Sequence, residues 1–180
     1  MGNLFLLHCI TNIIINMRAM MILTFLLISI TISETSEYDQ DRDRRMERIQ
    51  EMKQENLINK KVTGILYTLR QVESHNRYHV KGLSGEYGAY QFMPLTWQHY
   101  SIKYFDKVLD ITCKHNQDKV AHAKVKDLVE QGYSHKEIAS IWNSGTAEWS
   151  GRIGTNSSGV EYNVPNYVRE FDNQFKTNFA

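Results

Sequence analysis

Cysteine and proline are almost absent: the 180 residues hold two of each. Cys9 falls in an N-terminal apolar segment, so once that segment is removed Cys113 stands alone and no internal disulfide can form. A domain exported in that form has to be held by core packing. Cys113 has no catalytic partner by pattern and reads as a small buried hydrophobe. A surplus of one charge sign is missing too. The formal balance is +1, the signs are interspersed, and no basic stripe with aromatic interleaving appears, which sets nucleic acid aside as a partner. The chain also lacks a phosphate loop, a dinucleotide fingerprint, a Ser-His-Asp pattern and internal repeats. His75 and His79 stand four apart, but glycines and a helix end follow closely and no third ligand is evident, so no metal site is expected.

What is present divides into three stretches. Residues 1–33 carry one charged side chain, Arg18, ahead of the apolar run Met20 to Ile32 and the polar Ser33-Glu34-Thr35-Ser36. These are the parts of a signal peptide, and the run is short for a membrane span. The residues before Arg18 are themselves apolar, so either translation begins at Met17 or Met20, or the segment stays uncleaved as an anchor. Leu6-Leu7-His8-Cys9 makes a poor lipoprotein site. The expected location is outside the cytoplasm, in the periplasm or beyond, with any membrane contact made through this segment. Residues 34–61 are dense in charge around a thin line of Met46, Ile49 and Met52, which predicts a solvated helix or a loose tether. Residues 62–180 hold the apolar and aromatic content of one domain.

Within that domain the periodicity is helical. A stripe of Val62, Ile65, Leu66, Leu69 and Val72 predicts a helix from about Val62 to Glu73, stopped by Ser74, Asn76 and the glycines beyond. A second helix starts at Pro94, a good first-turn residue, with Trp97, Tyr100, Tyr104 and Val108 as its core stripe. A third runs from Asn116 as N-cap to Gln131, with Ala121, Val125, Leu128 and Val129 inward. A fourth opens on the capping box Ser134-His135-Lys136-Glu137 and delivers Asn143 to its end. The last starts at Pro165 and carries Tyr167, Val168, Phe171 and Phe175. Strand pairing is not evident beyond a small hairpin that the glycines near Lys81 to Tyr87 would allow. The stretch from Gly145 to Pro165 is too long for a plain connector and reads as a flexible lip over a groove.

The chain is organised around Glu73 to Trp97. Glu73 falls on the apolar stripe in line with Leu66 and Leu69, so its carboxyl points toward whatever those side chains bury. Desolvation there favours the neutral acid and raises its pKa, the state that glycosidic cleavage needs. After it, Gly82, Gly85 and Gly88 permit tight backbone, and Tyr87, Tyr90 and Phe92 offer flat faces on which sugars can stack. Glu73-Ser74, followed by Gly88-Ala89-Tyr90-Gln91-Phe92-Met93-Pro94, resembles the Glu-Ser and Gly-Leu-Met-Gln-Leu-Met-Pro motifs of lytic transglycosylases of the lysozyme-like superfamily. Ile141-Trp142-Asn143-Ser144-Gly145 resembles that family's Ala-Tyr-Asn-Ala-Gly motif, and Pro165-Asn166-Tyr167-Val168 its closing Tyr-Val motif. Order and rough spacing agree over residues 62–175.

The resemblance implies a mainly α, lysozyme-like helical domain without a cofactor, acting on peptidoglycan glycan strands in wall remodelling, in secretion or conjugation machines, or in phages. By the same resemblance Glu73 protonates the glycosidic oxygen between N-acetylmuramic acid and N-acetylglucosamine. As a carboxylate it then takes the proton of the muramoyl C6 hydroxyl, leaving a 1,6-anhydro end. One acid suffices if the substrate's own acetamide meets the developing charge. Asn143 has the donor and acceptor to hold that acetamide, with Gln91 and the backbone near Tyr90 as helpers, although it could equally cap its helix. Ser74 is expected to orient the acid or the glycan, and Phe92 to line the groove. Tyr167 is assigned by resemblance to hydrogen bonding near Glu73, against ordinary helix-face packing. Glu86 departs from the small residue usual in the family motif. It is either a turn-exposed acid or a second carboxylate, as a hydrolase would need at about 5 Å (retaining) or roughly 6.5–9.5 Å (inverting) from the first.

Overall fold

The computed structural model describes residues 2–155 and 159–179, with the side chains of 2–16, 19 and 30–37 outside the described set. In chain order the elements are α1 (Gly2–Ser74), α2 (Pro94–Phe105), α3 (Lys114–Glu130), α4 (His135–Ser144), β1 (Ile153–Thr155), β2 (Glu161–Asn163) and α5 (Val164–Phe179). The protein is mainly α with a small antiparallel hairpin. It divides into two compact units, Met1–Lys53 and Gln54–Ala180.

The described residues of the first unit lie on α1. Glycine and proline are both missing from residues 3–63, so nothing in the sequence interrupts the helix, and it begins far ahead of the Val62 start that periodicity suggests. The charged stretch 34–61 is therefore helical. Its ion pairs, such as Asp39–Arg42 at 3.4 Å and Asp41–Arg45, are exposed and add little stability. Met20 to Ile28 expose their described apolar side chains, Phe25 to 73%. Among the described residues no helix is long and apolar enough to cross a membrane. The segment around Leu6 to Cys9, on which the lipoprotein question turns, has its side chains outside the described residues.

In the second unit, α1 contributes Val62, Ile65, Leu66 and Leu69 to one buried cluster. Ala89, Tyr90 and Phe92 enter it from the following loop, Trp97 from α2, Val120, Ala121, Val125 and Val129 from α3, Ile138 from α4, and Val168 and Phe171 from α5. Ile58 packs on its edge, so the packed part of α1 also begins before Val62. The helix ends where His75 and Asn76 turn left-handed, with the Asn76 N–H donating back to the Arg70 carbonyl at 2.8 Å. Asparagine tolerates that conformation better than most residues, which explains the stop.

The loop from Arg77 to Met93 is held by two polar fastenings. Gln117 of α3 is fully buried; its oxygen accepts from the Ala89 N–H at 2.8 Å, and its amide donates to the Tyr78 and Ile111 carbonyls at 3.0 and 2.7 Å. Gly88 lies directly over that carboxamide at φ +87, where any Cβ would collide with it. The second fastening is Asp118, which accepts from Tyr78 at 2.8 Å, Tyr90 at 2.9 Å and Arg70 at 3.4 Å.

Several expected boundaries move. α3 starts at Lys114 with Cys113 as N-cap, while Asn116 donates instead to the Asp110 carbonyl at 3.0 Å. Cys113 is exposed, not a core hydrophobe, because a helix-capping position at the loop exit has no side to bury. Val108 lies past the left-handed end of α2 at Asp106 and is 53% exposed. The Ser134–Glu137 capping box forms as expected, with both reciprocal hydrogen bonds in place. Near Lys81 the pairing amounts to isolated bridges, Lys81 with Tyr87 and Tyr87 with Phe92. The true hairpin is β1–β2, inside the stretch read as a lip, with Ile153 opposite Asn163 and Gly154 opposite Tyr162. Residues 156–158 at its turn lie outside the described residues.

Candidate active site

A cleft of about 330 Å³ opens at the end of α1. Glu73 reaches it from the last turn of that helix, Lys124 from α3, and Trp142 and Asn143 from α4. The loop supplies Glu86, Gln91, Phe92 and Met93, and Val160 reaches the rim from the hairpin stretch.

Glu73 is partly buried, and the Tyr167 hydroxyl of α5 donates to its Oε1 at 2.5 Å. Burial pushes the Glu73 carboxyl from 4.5 up to about 7, the Tyr167 hydrogen bond pulls it down, the Glu86 charge adds to the rise, and Lys124 opposes it. The acid is thus held near half-protonation at neutral pH. Burial, with the facing carboxylate, drives the Tyr167 phenol well above its ordinary value, so it stays a hydrogen-bond donor. The projection of Glu73 from the apolar stripe and the pairing of Tyr167 with Glu73 are both realised.

The remaining expected site residues separate into those on the cleft and those behind its wall. Asn143 is exposed on the cleft and its side chain makes no hydrogen bond to another described residue; the helix cap is Gly145, at φ +79, so the carboxamide is spared that role. Gln91 lines the cleft at φ +47, with its amide donating to the Gly88 carbonyl at 2.7 Å. Glu86 also lines it, braced by the Ser84 N–H at 2.9 Å. Gly82 leaves room for both, since a Cβ there would meet the Glu86 carboxylate and the Gln91 oxygen and displace those side-chain ends. Phe92 forms floor, 2% exposed and packed edge-on against Trp97.

Tyr90 and Ser74 do not line the cleft. Tyr90 is fully buried, with its hydroxyl between Arg70 and Asp118, so it offers no face to a sugar. The periodic position that could serve stacking serves the core, because Asp118 and Arg70 satisfy the phenol internally. Ser74 donates to the Ala89 carbonyl at 2.9 Å and accepts from the Arg77 N–H at 3.0 Å, fastening the helix end to the loop instead of touching a ligand.

Sequence reasoning missed Lys124. It is 4% exposed, with its ammonium 4.1 Å from the Trp142 ring centre and 4.5 Å from that of Tyr100. Burial lowers its pKa to about 8, against the pull of the Glu73 charge. The signal was present: Lys124 follows Ala121 by three and precedes Leu128 by four, on the inward face of α3. The Trp142 ring faces both Lys124 and the cleft, while its N–H donates to the Tyr90 carbonyl at 3.1 Å. Among the described residues no group of three His, Cys, Asp or Glu side chains could hold a metal ion.

The arrangement can therefore deliver a proton to a ligand in the cleft, hold a polar group at Asn143, and keep the resulting carboxylate hydrogen-bonded. No family model matches the chain, and neither a curated protein nor a solved structure matches it.

Proposed function

We propose that this protein is a lytic transglycosylase, cleaving the β-1,4 bond between N-acetylmuramic acid and N-acetylglucosamine in peptidoglycan. The observation that carries the reading is the acid Glu73, partly buried on a cleft, raised to about 7 and hydrogen-bonded by Tyr167. The order of the motifs from Glu73-Ser74 to Tyr167-Val168 supports the same reading.

In the first step the Glu73 carboxylic acid gives its proton to the glycosidic oxygen as the anomeric bond breaks, the electron pair staying on the departing oxygen. The substrate's acetamide oxygen meets the charge at the anomeric carbon, held by Asn143, whose side chain is open to the cleft. In the second step the carboxylate takes the C6 hydroxyl proton and the C6 oxygen bonds to the anomeric carbon. Water is not consumed, and Glu73 ends protonated for the next cycle.

Glu86 favours a second reading. It lines the same cleft, so a muramidase with Glu73 as acid and Glu86 activating water or acting as nucleophile has its two carboxylates at hand. Digestion of purified peptidoglycan decides whether there is cleavage at all. Wild type is expected to release soluble muropeptides and Glu73→Gln to release under a hundredth as much, roughly, since loss of a general acid costs about 10²-fold or more. Well-folded wild type that binds the wall and releases nothing would show a binding module instead.

A further inference from the structure

Lys124 has no role in the reaction just described, and its surroundings are costly. An ammonium so far from water, with no described hydrogen bond to its nitrogen, is worth keeping only if something in the cleft repays the desolvation. Two aromatic faces partly do so, the Trp142 ring from α4 and the Tyr100 ring from α2. The charged and titratable groups that act on this corner are Glu73 at the end of α1, Glu86 on the loop and Tyr167 on α5, with Glu170 acting on Tyr167. Glu73 and Lys124 line the same cleft, and the Glu73 charge opposes the lowering of the Lys124 pKa by burial.

We infer that Lys124 is a positioning residue for the acid: its ammonium, walled in by Trp142 and Tyr100, supplies the counter-charge for the Glu73 carboxylate once the proton has been given up. This rests on the acid role of Glu73 proposed above. Before bond cleavage Glu73 is neutral and Lys124 is stabilised by the aromatic rings alone. As the proton leaves, a carboxylate appears on a cleft where the opposite charge is already in place. Without Lys124, Tyr167 would be, among the described residues, the group left to stabilise that carboxylate against burial and against the Glu86 charge. Glu73 would then be a weaker acid, slower to protonate the leaving oxygen.

The test uses the full chain with Lys124→Met, which keeps length and apolar contact, and Lys124→Arg, which keeps the charge. The Glu73 side-chain carboxyl is followed by ¹³C NMR as pH is varied, with no substrate present. The Met variant is expected to raise the Glu73 midpoint by about one unit or more, the size of effect a nearby opposite charge has on a carboxyl, and the Arg variant to restore it to within about half a unit. Melting temperature should be unchanged or higher for Met, because an apolar group replaces a buried ion. On glycan strands, kcat for Met should fall roughly threefold to tenfold with KM little changed, and the basic limb of the pH profile should move upward with the midpoint. A midpoint that stays within about 0.3 unit of wild type, or a Met variant that merely melts earlier with an unmoved pH profile, overturns the inference. The NMR result stands apart from catalysis: a shifted midpoint in a protein that releases nothing from peptidoglycan refutes the cleavage reading and leaves the Lys124–Glu73 coupling intact.

Discussion

Replacing Glu73 with glutamine should make the protein more stable at alkaline pH while removing the proposed glycan cleavage. The folded state holds Glu73 near 7 against an ordinary value of 4.5. Below pH 4.5 the carboxyl is protonated folded or unfolded, and no penalty exists. Between 4.5 and 7 the unfolded chain releases its proton while the folded one keeps it, so stability falls as pH rises, and above 7 the full cost of the buried charge is carried. A rise of that size corresponds to about 3 kcal/mol. Glutamine never ionises, and its oxygen can still accept from Tyr167. The attraction of Lys124 is already contained in that rise, so the expected gain at pH 8 is about 2–3 kcal/mol. For a chain of this size that is about 3–10 °C in melting temperature. Thermal melts of both proteins at pH 4 and pH 8 check it. A stabilisation of similar size at both pH values, or none at pH 8, would refute the claim that the Glu73 charge is held under strain in the cleft.

Tyr167→Phe removes the hydrogen bond that favours the ionised acid and should raise the Glu73 midpoint by about one unit, read by ¹³C NMR, because a hydrogen bond to a charged group contributes about 1.5–3 kcal/mol. Glu86→Gln should lower that midpoint, since the Glu86 charge adds to the rise, and should keep substantial wall-clearing activity; a dead variant would favour the muramidase. Gln117→Ala leaves the Ala89 N–H and the Tyr78 and Ile111 carbonyls without their partner and should cost roughly 2–4 kcal/mol in denaturant unfolding. A loss below about 1 kcal/mol would mean that the loop does not depend on this side chain.

Much of the site was legible because it obeys one periodicity. Glu73 extends the stripe of Leu66 and Leu69, and those side chains are buried, so the direction of its carboxyl followed from the helical advance alone. The same logic, applied to Ala121 and Leu128, reaches Lys124, but a lysine is ordinarily taken for a solvated position and the polar prior hid it. Tyr90 shows the opposite failure. An aromatic residue among glycines suits a sugar wall as well as a core, and its partner Asp118 lies 28 residues on, beyond any local pattern. Gln117 was hidden for the same reason, since its three backbone partners come from two separate loops. The β1–β2 hairpin has strands of three residues each, too short for alternation to register. The unbroken α1 was signalled by absence, in the lack of glycine and proline over residues 3–63, more than by any motif.

The central claim is that Glu73 works alone, with the substrate's own C6 hydroxyl taking the place of water. Mass spectrometry of the muropeptides released by wild type from purified peptidoglycan tests it most directly. The account predicts 1,6-anhydromuramoyl ends, one water lighter than hydrolysed products and resistant to borohydride reduction. Reducible, hydrated muramoyl ends as the main product would contradict it and make Glu86 the second carboxylate of a hydrolase.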